Sequence, residues 1–272
     1  MNIWVAGREP ASITDHRDTS AALPASSAHR AWMANIDRNA VSPDIVADVV
    51  RSHGISRDSF RMLDAMESIT DRHGKSFFVI PPGTGVDAAR RAVLLTYILN
   101  AGTGYGSCCG NDFPDTPYGE VELRRIIERQ RANRWSYQAV RVMTHSGGCL
   151  LTTPNGILMG MGGNWIHAQF SRRGGTMWGD VFLVNVAQAP QANHAADPVA
   201  QMRQLIDAER LHPEGPELHR VLHHEEIHAQ QWAKWGPLGM PIRYLADEAR
   251  AQILSGANNL EKHAGLSDGG YE

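Results

Sequence analysis

Residues His224-Glu225-Glu226-Ile227-His228 form an H-E-x-x-H. Residues four apart share one helix face, so both imidazoles can point at a single ion, and zinc suits two nitrogens at that spacing. Glu225 follows the first histidine and projects beside that face. There it can reach a water at the ion without displacing it, and the expected chemistry is general-base catalysis of water attack on a carbonyl. Glu226 is expected to face solvent or a neighbouring basic side chain. His219 and His223 are also four apart, but no Glu follows His219, so exposed or orienting roles are expected for them. A catalytic zinc takes three protein ligands and keeps one open position. Gln231 stands where a metzincin has its glycine, and no third histidine follows in that register. The third ligand is therefore expected to be a downstream carboxylate: Asp247, Glu248 or Glu261.

The elements that must position these groups are legible around them. Pro216 precedes one helix and Gly236-Pro237 ends it, so residues 218–235 are expected to be about five helical turns. Leu218, Val221, Leu222, Ile227 and Trp232 supply its buried side. A second helix over 241–255 is expected to bury Ile242, Leu245, Ala249 and Ile253, which leaves Glu248 free to reach the site. Asp247 could orient a ligand histidine as a hydrogen-bond acceptor. Tyr244 and Tyr271 are candidates for stabilising an oxyanion, or ordinary core or surface tyrosines.

The segment HHEEIHAQQWAKWGPLGMPIRY, followed by NNLEKHAGLSDGGY, resembles the compact zincin-like (gluzincin-type) peptidases of bacteria. Those carry an H-E-x-x-H-x-x-Q helix, a Gly-Pro-Leu-type turn, a second helix and an N-P-[FY]-E-x-x-A segment. The resemblance spans residues 176 to 271. It implies that Glu261 completes the zinc site and that Asn258, Leu260 and Ala264 match the last segment; Glu248, 20 residues beyond His228, is the alternative third ligand by spacing. Asn259 stands where proline is common. The strand-like GTMWGDVFLVN would offer an edge for an extended peptide, or serve as an ordinary structural strand. The implied function is a zinc metallopeptidase acting on a peptide or protein substrate. A zinc-binding interaction module without turnover, of the effector or toxin-related kind, is the other class, and a zinc hydrolase of non-peptide amides has the same ligands.

Outside that third, residues 1–30 are expected to be a disordered leader, 31–134 a helical N-terminal region, and 135–272 a sheet plus the metal-binding region, joined with 31–134 in one compact unit. Ile45, Val46, Val49 and Val50 predict a helix from Ser42-Pro43 to Gly54, and Phe60, Leu63, Met66 and Ile69 a second from Ser56 to about Arg72. Phe77 to Ile80 reads as a strand, with helices expected over 87–99 and 120–133. The Gly83-Thr84-Gly85 loop between strand and helix lacks both the Lys-Ser/Thr of a P-loop and the third glycine of a dinucleotide loop, so it reads as a turn. A loop is expected over 100–119. Short segments at 137–143, 148–152, 156–161, 164–170 and 178–186 predict a small, mostly antiparallel sheet. Residues 187–198 read as a linker, and His167 as a structural histidine. The fold class is α+β: N-terminal helices, a middle sheet and a C-terminal helical minimal zincin.

Composition narrows the function classes. The 272 residues carry 26 Lys+Arg against 29 Asp+Glu, a balance that excludes a strongly basic nucleic-acid binder. Cys108, Cys109 and Cys149 contain no C-x-x-C, which argues against both a cysteine zinc site and a disulfide scaffold. The longest apolar run, 92–99, is too short to span a membrane, and no signal-peptide pattern opens the chain. The expectation is a cytoplasmic protein, or one exported without a signal.

Overall fold

The computed structural model describes residues 26–104, 116–162, 175–184, 197–253, 258–265 and 267–269. It is an α+β fold in which one six-stranded sheet lies between two helical layers. Among the described residues, six helices precede or interrupt the sheet: α1 (Ser27–Arg38), α2 (Pro43–His53), α3 (Arg61–Asp64), α4 (Val86–Leu99), α5 (Glu120–Ala132) and α6 (Gln138–His145). Three described helices follow it: α7 (Pro198–Ala208), α8 (Leu218–Ile253) and α9 (Asn259–Ala264). The strands are β1 (Ser68–Thr70), β2 (Ser76–Val79), β3 (Cys149–Thr152), β4 (Leu158–Met161), β5 (Gly175–Trp178) and β6 (Val181–Val184), in spatial order β1-β2-β3-β4-β6-β5. Every pairing is antiparallel except β4 with β6.

Strand alternation sorts the core. Phe78, Leu150, Leu158, Val181 and Leu183 point to the face covered by the N-terminal helices. Phe77, Leu151, Met159, Phe182 and Val184 point to the face covered by α7, α8 and α9. The sheet is thus the wall against which the histidine-bearing helix α8 lies, and β1 and β2 tie residues of the N-terminal third into it.

Several expectations are corrected. Residues 26–30, expected within the leader, belong to α1, which Ser26 caps by accepting from His29 N; residues 1–25 lie outside the described residues. The helix expected over 56–72 is a 3-10 turn, the one-turn α3 and then β1. Ile69 pairs with Phe77 instead of continuing a helical stripe. The cause is the turn after it: Asp71 accepts from His73 N and Lys75 N, and Gly74 takes φ +77°, which closes a hairpin. Residues 137–143 belong to a 3-10 turn and α6, with Val140 and Met143 buried at helical spacing. The strand within 178–186 is Val181–Val184, and the strands expected at 148–152 and 156–161 are present as β3 and β4. Segment 164–170, with His167, lies outside the described residues, as do Cys108, Cys109 and Tyr271. Cys149 is a buried free thiol. Among the described residues no helix is long and apolar enough to cross a membrane.

Helix α8 has two limbs. Gly236, at φ 70° and ψ 177°, is non-helical and separates residues 218–235 from 237–253. Only glycine adopts that backbone without strain, which is why the stop read at Gly236-Pro237 is real. On the second limb Ile242, Leu245, Ala249 and Ile253 are exposed, which corrects the expectation that they are buried; Met240 and Tyr244 pack inward instead.

Candidate metal centre

Three elements deliver the site. The first limb of α8 supplies His224, Glu225 and His228, all buried on the side facing the sheet and α9. Helix α9 supplies Glu261. Asn258 caps α9 by accepting from Leu260 N at 2.9 Å, which puts Glu261 in its first turn. The 3-10 turn at Ser267–Gly269 follows, held by an Arg220–Asp268 ion pair.

His224 Nε2, His228 Nε2 and Glu261 Oε2 converge. The two nitrogens are 3.0 Å apart, and the carboxylate oxygen lies 3.3 Å from His224 and 3.2 Å from His228. The opposite ring nitrogens are engaged elsewhere. His224 Nδ1 donates to Gly265 O at 2.9 Å, and His228 Nδ1 donates to Gln231 Oε1 at 2.8 Å. Carbonyl oxygens only accept, so both Nδ1 atoms carry the hydrogen and both Nε2 lone pairs turn inward. Gln231 Nε2 in turn donates to Leu260 O at 3.0 Å. One side chain therefore orients a histidine and pins the helix that brings Glu261.

This donor set fits a cation. Two imidazole lone pairs and a carboxylate facing one another within 3.3 Å repel unless a proton or a metal lies between them. A tetrahedral zinc with bonds of about 2.0–2.1 Å needs ligand atoms roughly 3.3–3.4 Å apart, close to what these three residues present. Among the described residues they are the one group of histidine, cysteine and acidic side chains arranged this way.

In the metal-free protein the charges respond as expected. Burial lowers the basicity of His228, but the Glu261 hydrogen bond and the Glu225 charge outweigh it and hold it up at about 9. Burial pushes Glu261 up, yet the two imidazoles hold its carboxyl well below the usual range. Burial raises Glu225, which the two histidines offset only in part. Its Oε2 has no hydrogen-bond partner among the described residues. Glu225 also lines a cavity of roughly 20 Å³, room for about one water, beside His212, Val221 and Phe182.

The other expected residues sort as follows. Tyr244 is half-buried and hydrogen-bonds Glu261, and burial and that carboxylate raise its hydroxyl above the usual value. Glu248 reaches Asn258 Nδ2 at 3.4 Å and does not join the three ligand atoms. Asp247 is half-buried and does not join them either, and the Nδ1 hydrogens it was expected to accept go to Gly265 and Gln231. Asn258 acts as a helix cap. His219 is buried, not exposed, and stands near Glu217 and His73. Glu226 is buried too: Arg125 and Arg129 pair with it and hold its carboxyl below the usual range against burial.

That pairing exposes a group that sequence reasoning missed. Arg125, Arg129 and Asn133 stand at four-residue intervals along and just beyond α5. Arg129 pairs with Glu226 and, at 3.2 Å, with Asp180 in the β5–β6 turn, and it donates to Gly156 O. Asn133 donates to Asp180 at 2.7 Å and to Ala229 O at 2.9 Å. Tyr137 donates to Asp180 at 3.0 Å. The N-terminal layer thus grips the histidine helix directly on either side of His228. One turn further along the helix Trp232 donates to Met177 O at 3.0 Å and packs with Trp135 and Trp178.

No family model matches the chain, and neither a curated protein nor a solved structure matches it.

Proposed function

We propose that this protein is a zinc-dependent hydrolase of peptide bonds, with His224, His228 and Glu261 as ligands and Glu225 as general base. The observation that carries the reading is the buried convergence of three acceptor atoms next to a carboxylate oxygen with no partner of its own among the described residues. A zinc ion held there would lower the pKa of a water towards neutrality and polarise a substrate carbonyl. Glu225 accepts the proton of the attacking water, and its burial raises the carboxyl so that it can pass the proton on to the leaving amine. Gln231 and Gly265 keep both Nε2 lone pairs inward by occupying the Nδ1 hydrogens. Tyr244, bonded to Glu261, supplies a hydroxyl beside the ligand set for a developing oxyanion. The resemblance of residues 176–271 to compact zincin-like peptidases supports the same assignment.

Metal analysis and a peptide-library assay test it together. Wild type and Glu225→Gln are expected to retain stoichiometric zinc, His224→Ala to lose it, and only wild type to cleave. Stoichiometric metal in His224→Ala, or full activity in Glu225→Gln, overturns the reading. The second reading, a metal-binding interaction module, is favoured by the ligands' deep burial beside a cavity of water size. Tightly bound zinc without cleavage of any peptide would select it.

A further inference from the structure

Glu225 borders two features at once. One is the set of ligand atoms, whose two histidines and carboxylate all act on its charge. The other is the cavity of roughly 20 Å³. Gly175 of β5, Phe182 of β6, Val221 of α8 and the 211–216 connection wall that cavity. Strand β5 ends the sheet and pairs with β6 alone among the described residues. An extended peptide laid along that free edge to reach Glu225 passes beside the cavity.

The walls are drawn in by design of the sequence. Gly175 has no side chain, and the Phe182 ring takes its place: a Cβ at 175 would lie 2.2 Å from that ring. The His212 ring does the same at Gly215, 2.5 Å from where a Cβ would stand. Val221 and Glu225 are four apart and share a helix face, so the Glu225 stem leans back over the turn that carries Val221. Val221 is buried, and its methyl groups stand against the cavity beside the carboxylate.

What is left has room for about one water or one methyl group. Apart from Glu225 and His212, the lining is apolar side chains and glycines. A water there has few polar side chains to hold it, and an apolar group of the same size gains by displacing it. As general base, Glu225 must touch the attacking water and the leaving nitrogen, so a cavity it borders adjoins the bond that is cut. We propose that this cavity is the pocket for the residue next to the scissile bond, and that Val221 limits it to a methyl group. The substrates are then peptides cut beside glycine or alanine. This rests on the zinc-hydrolase reading above and adds the substrate class to it. Leucine or phenylalanine in that place overfills the pocket by several carbons, and a single surplus methylene already costs about tenfold or more.

Binding tests the pocket without relying on turnover. The zinc-loaded full chain is titrated by calorimetry with zinc-chelating hydroxamates that carry hydrogen, methyl, isobutyl or benzyl beside the chelating group. A peptide library is digested in parallel. The hydrogen and methyl compounds should bind at least about tenfold more tightly than the other two, and cleavage should fall beside glycine or alanine. Val221→Ala removes two methyl groups from the wall. With zinc content as in wild type, it should bind the isobutyl compound at least about tenfold more tightly than wild type does. If Val221→Ala does not fold, Leu211→Ala opens the same cavity from another wall and should shift the ranking in the same direction. Equal affinity for all four compounds, a preference for benzyl, or a ranking that neither variant moves overturns the proposal. Cleavage beside large residues overturns it too and leaves the hydrolase reading intact. Zinc binding and the size ranking without any cleavage removes hydrolysis and upholds the pocket. A wild type that takes up no zinc and binds no hydroxamate overturns both.

Discussion

Arg129→Met is expected to be the most damaging single change away from the three ligands. The methionine keeps most of the aliphatic volume, so lost packing contributes less than about 1.5 kcal/mol. The charge terms are larger. Glu226 keeps Arg125 at 2.8 Å, but fully buried Asp180 loses its cationic partner and retains only Asn133 and Tyr137 as side-chain donors. Burial already raises the Asp180 carboxyl against the pull of Arg129. Without that arginine it is left charged and unpaired, or must bind a proton. Breaking a buried pair by removing one partner costs about 3–5 kcal/mol, a large share of the roughly 5–15 kcal/mol that stabilises a folded chain. Urea unfolding followed by tryptophan fluorescence measures the loss, because Trp135, Trp178 and Trp232 cluster beside the network. Adding Asp180→Asn removes the stranded charge, so the double variant should regain about 1–3 kcal/mol relative to additivity. A cost below about 1 kcal/mol for Arg129→Met, or strictly additive behaviour of the pair, refutes the view that this network carries net electrostatic weight.

Three further outcomes follow from the geometry. Gln231→Leu should keep the global fold but hold zinc about 10–100-fold more weakly in a competition titration, since His228 loses its orienting acceptor and α9 its tie at Leu260 O; unchanged affinity would deny Gln231 that role. Gly236→Ala meets no atom within 4 Å of the added carbon, so its cost is backbone strain alone. About 1–3 kcal/mol is expected, visible as a lower thermal midpoint. The third concerns pH: His228 in the metal-free protein sits at about 9, above its unfolded value near 6.5. Its contribution, roughly 3 kcal/mol, is complete below about pH 6.5 and disappears as pH rises through about 9. The metal-free urea midpoint should fall across that window, and His228→Gln should flatten the decline.

The centre of the site is legible in the sequence because helix spacing alone brings His224 and His228 together, and because the resemblance points to Glu261. What grips the helix is not. Arg125, Arg129 and Asn133 look in sequence like a solvated polar stripe, and only the arrival of Glu226 and Asp180 from distant segments buries Arg129 and Asn133 and half-buries Arg125. Gln231 is visible as a motif position, but its bond to Leu260 O depends on where α9 lands. The spacing of Ile69 from Phe60 and Leu63 suits a helix, while Asp71-Arg72-His73-Gly74 carries the hairpin signal that prevails. On the 237–253 limb the apolar stripe itself is plain. Which way it faces is decided by Met240 and Tyr244 packing inward, a choice that periodicity leaves open.

Helix α9 has six residues, too few to persist alone. It is fastened through the ligand set: Gln231 holds Leu260 O, His224 holds Gly265 O, and Glu261 faces both histidines. Ligand orientation and delivery of the third donor are therefore one local folding event. Opening α9 would withdraw Glu261 and release the Gln231 and His224 tethers together, so loss of an ion held there is expected to be coupled to opening of that segment. Release kinetics at this centre would then report the lifetime of a single turn and a half of helix.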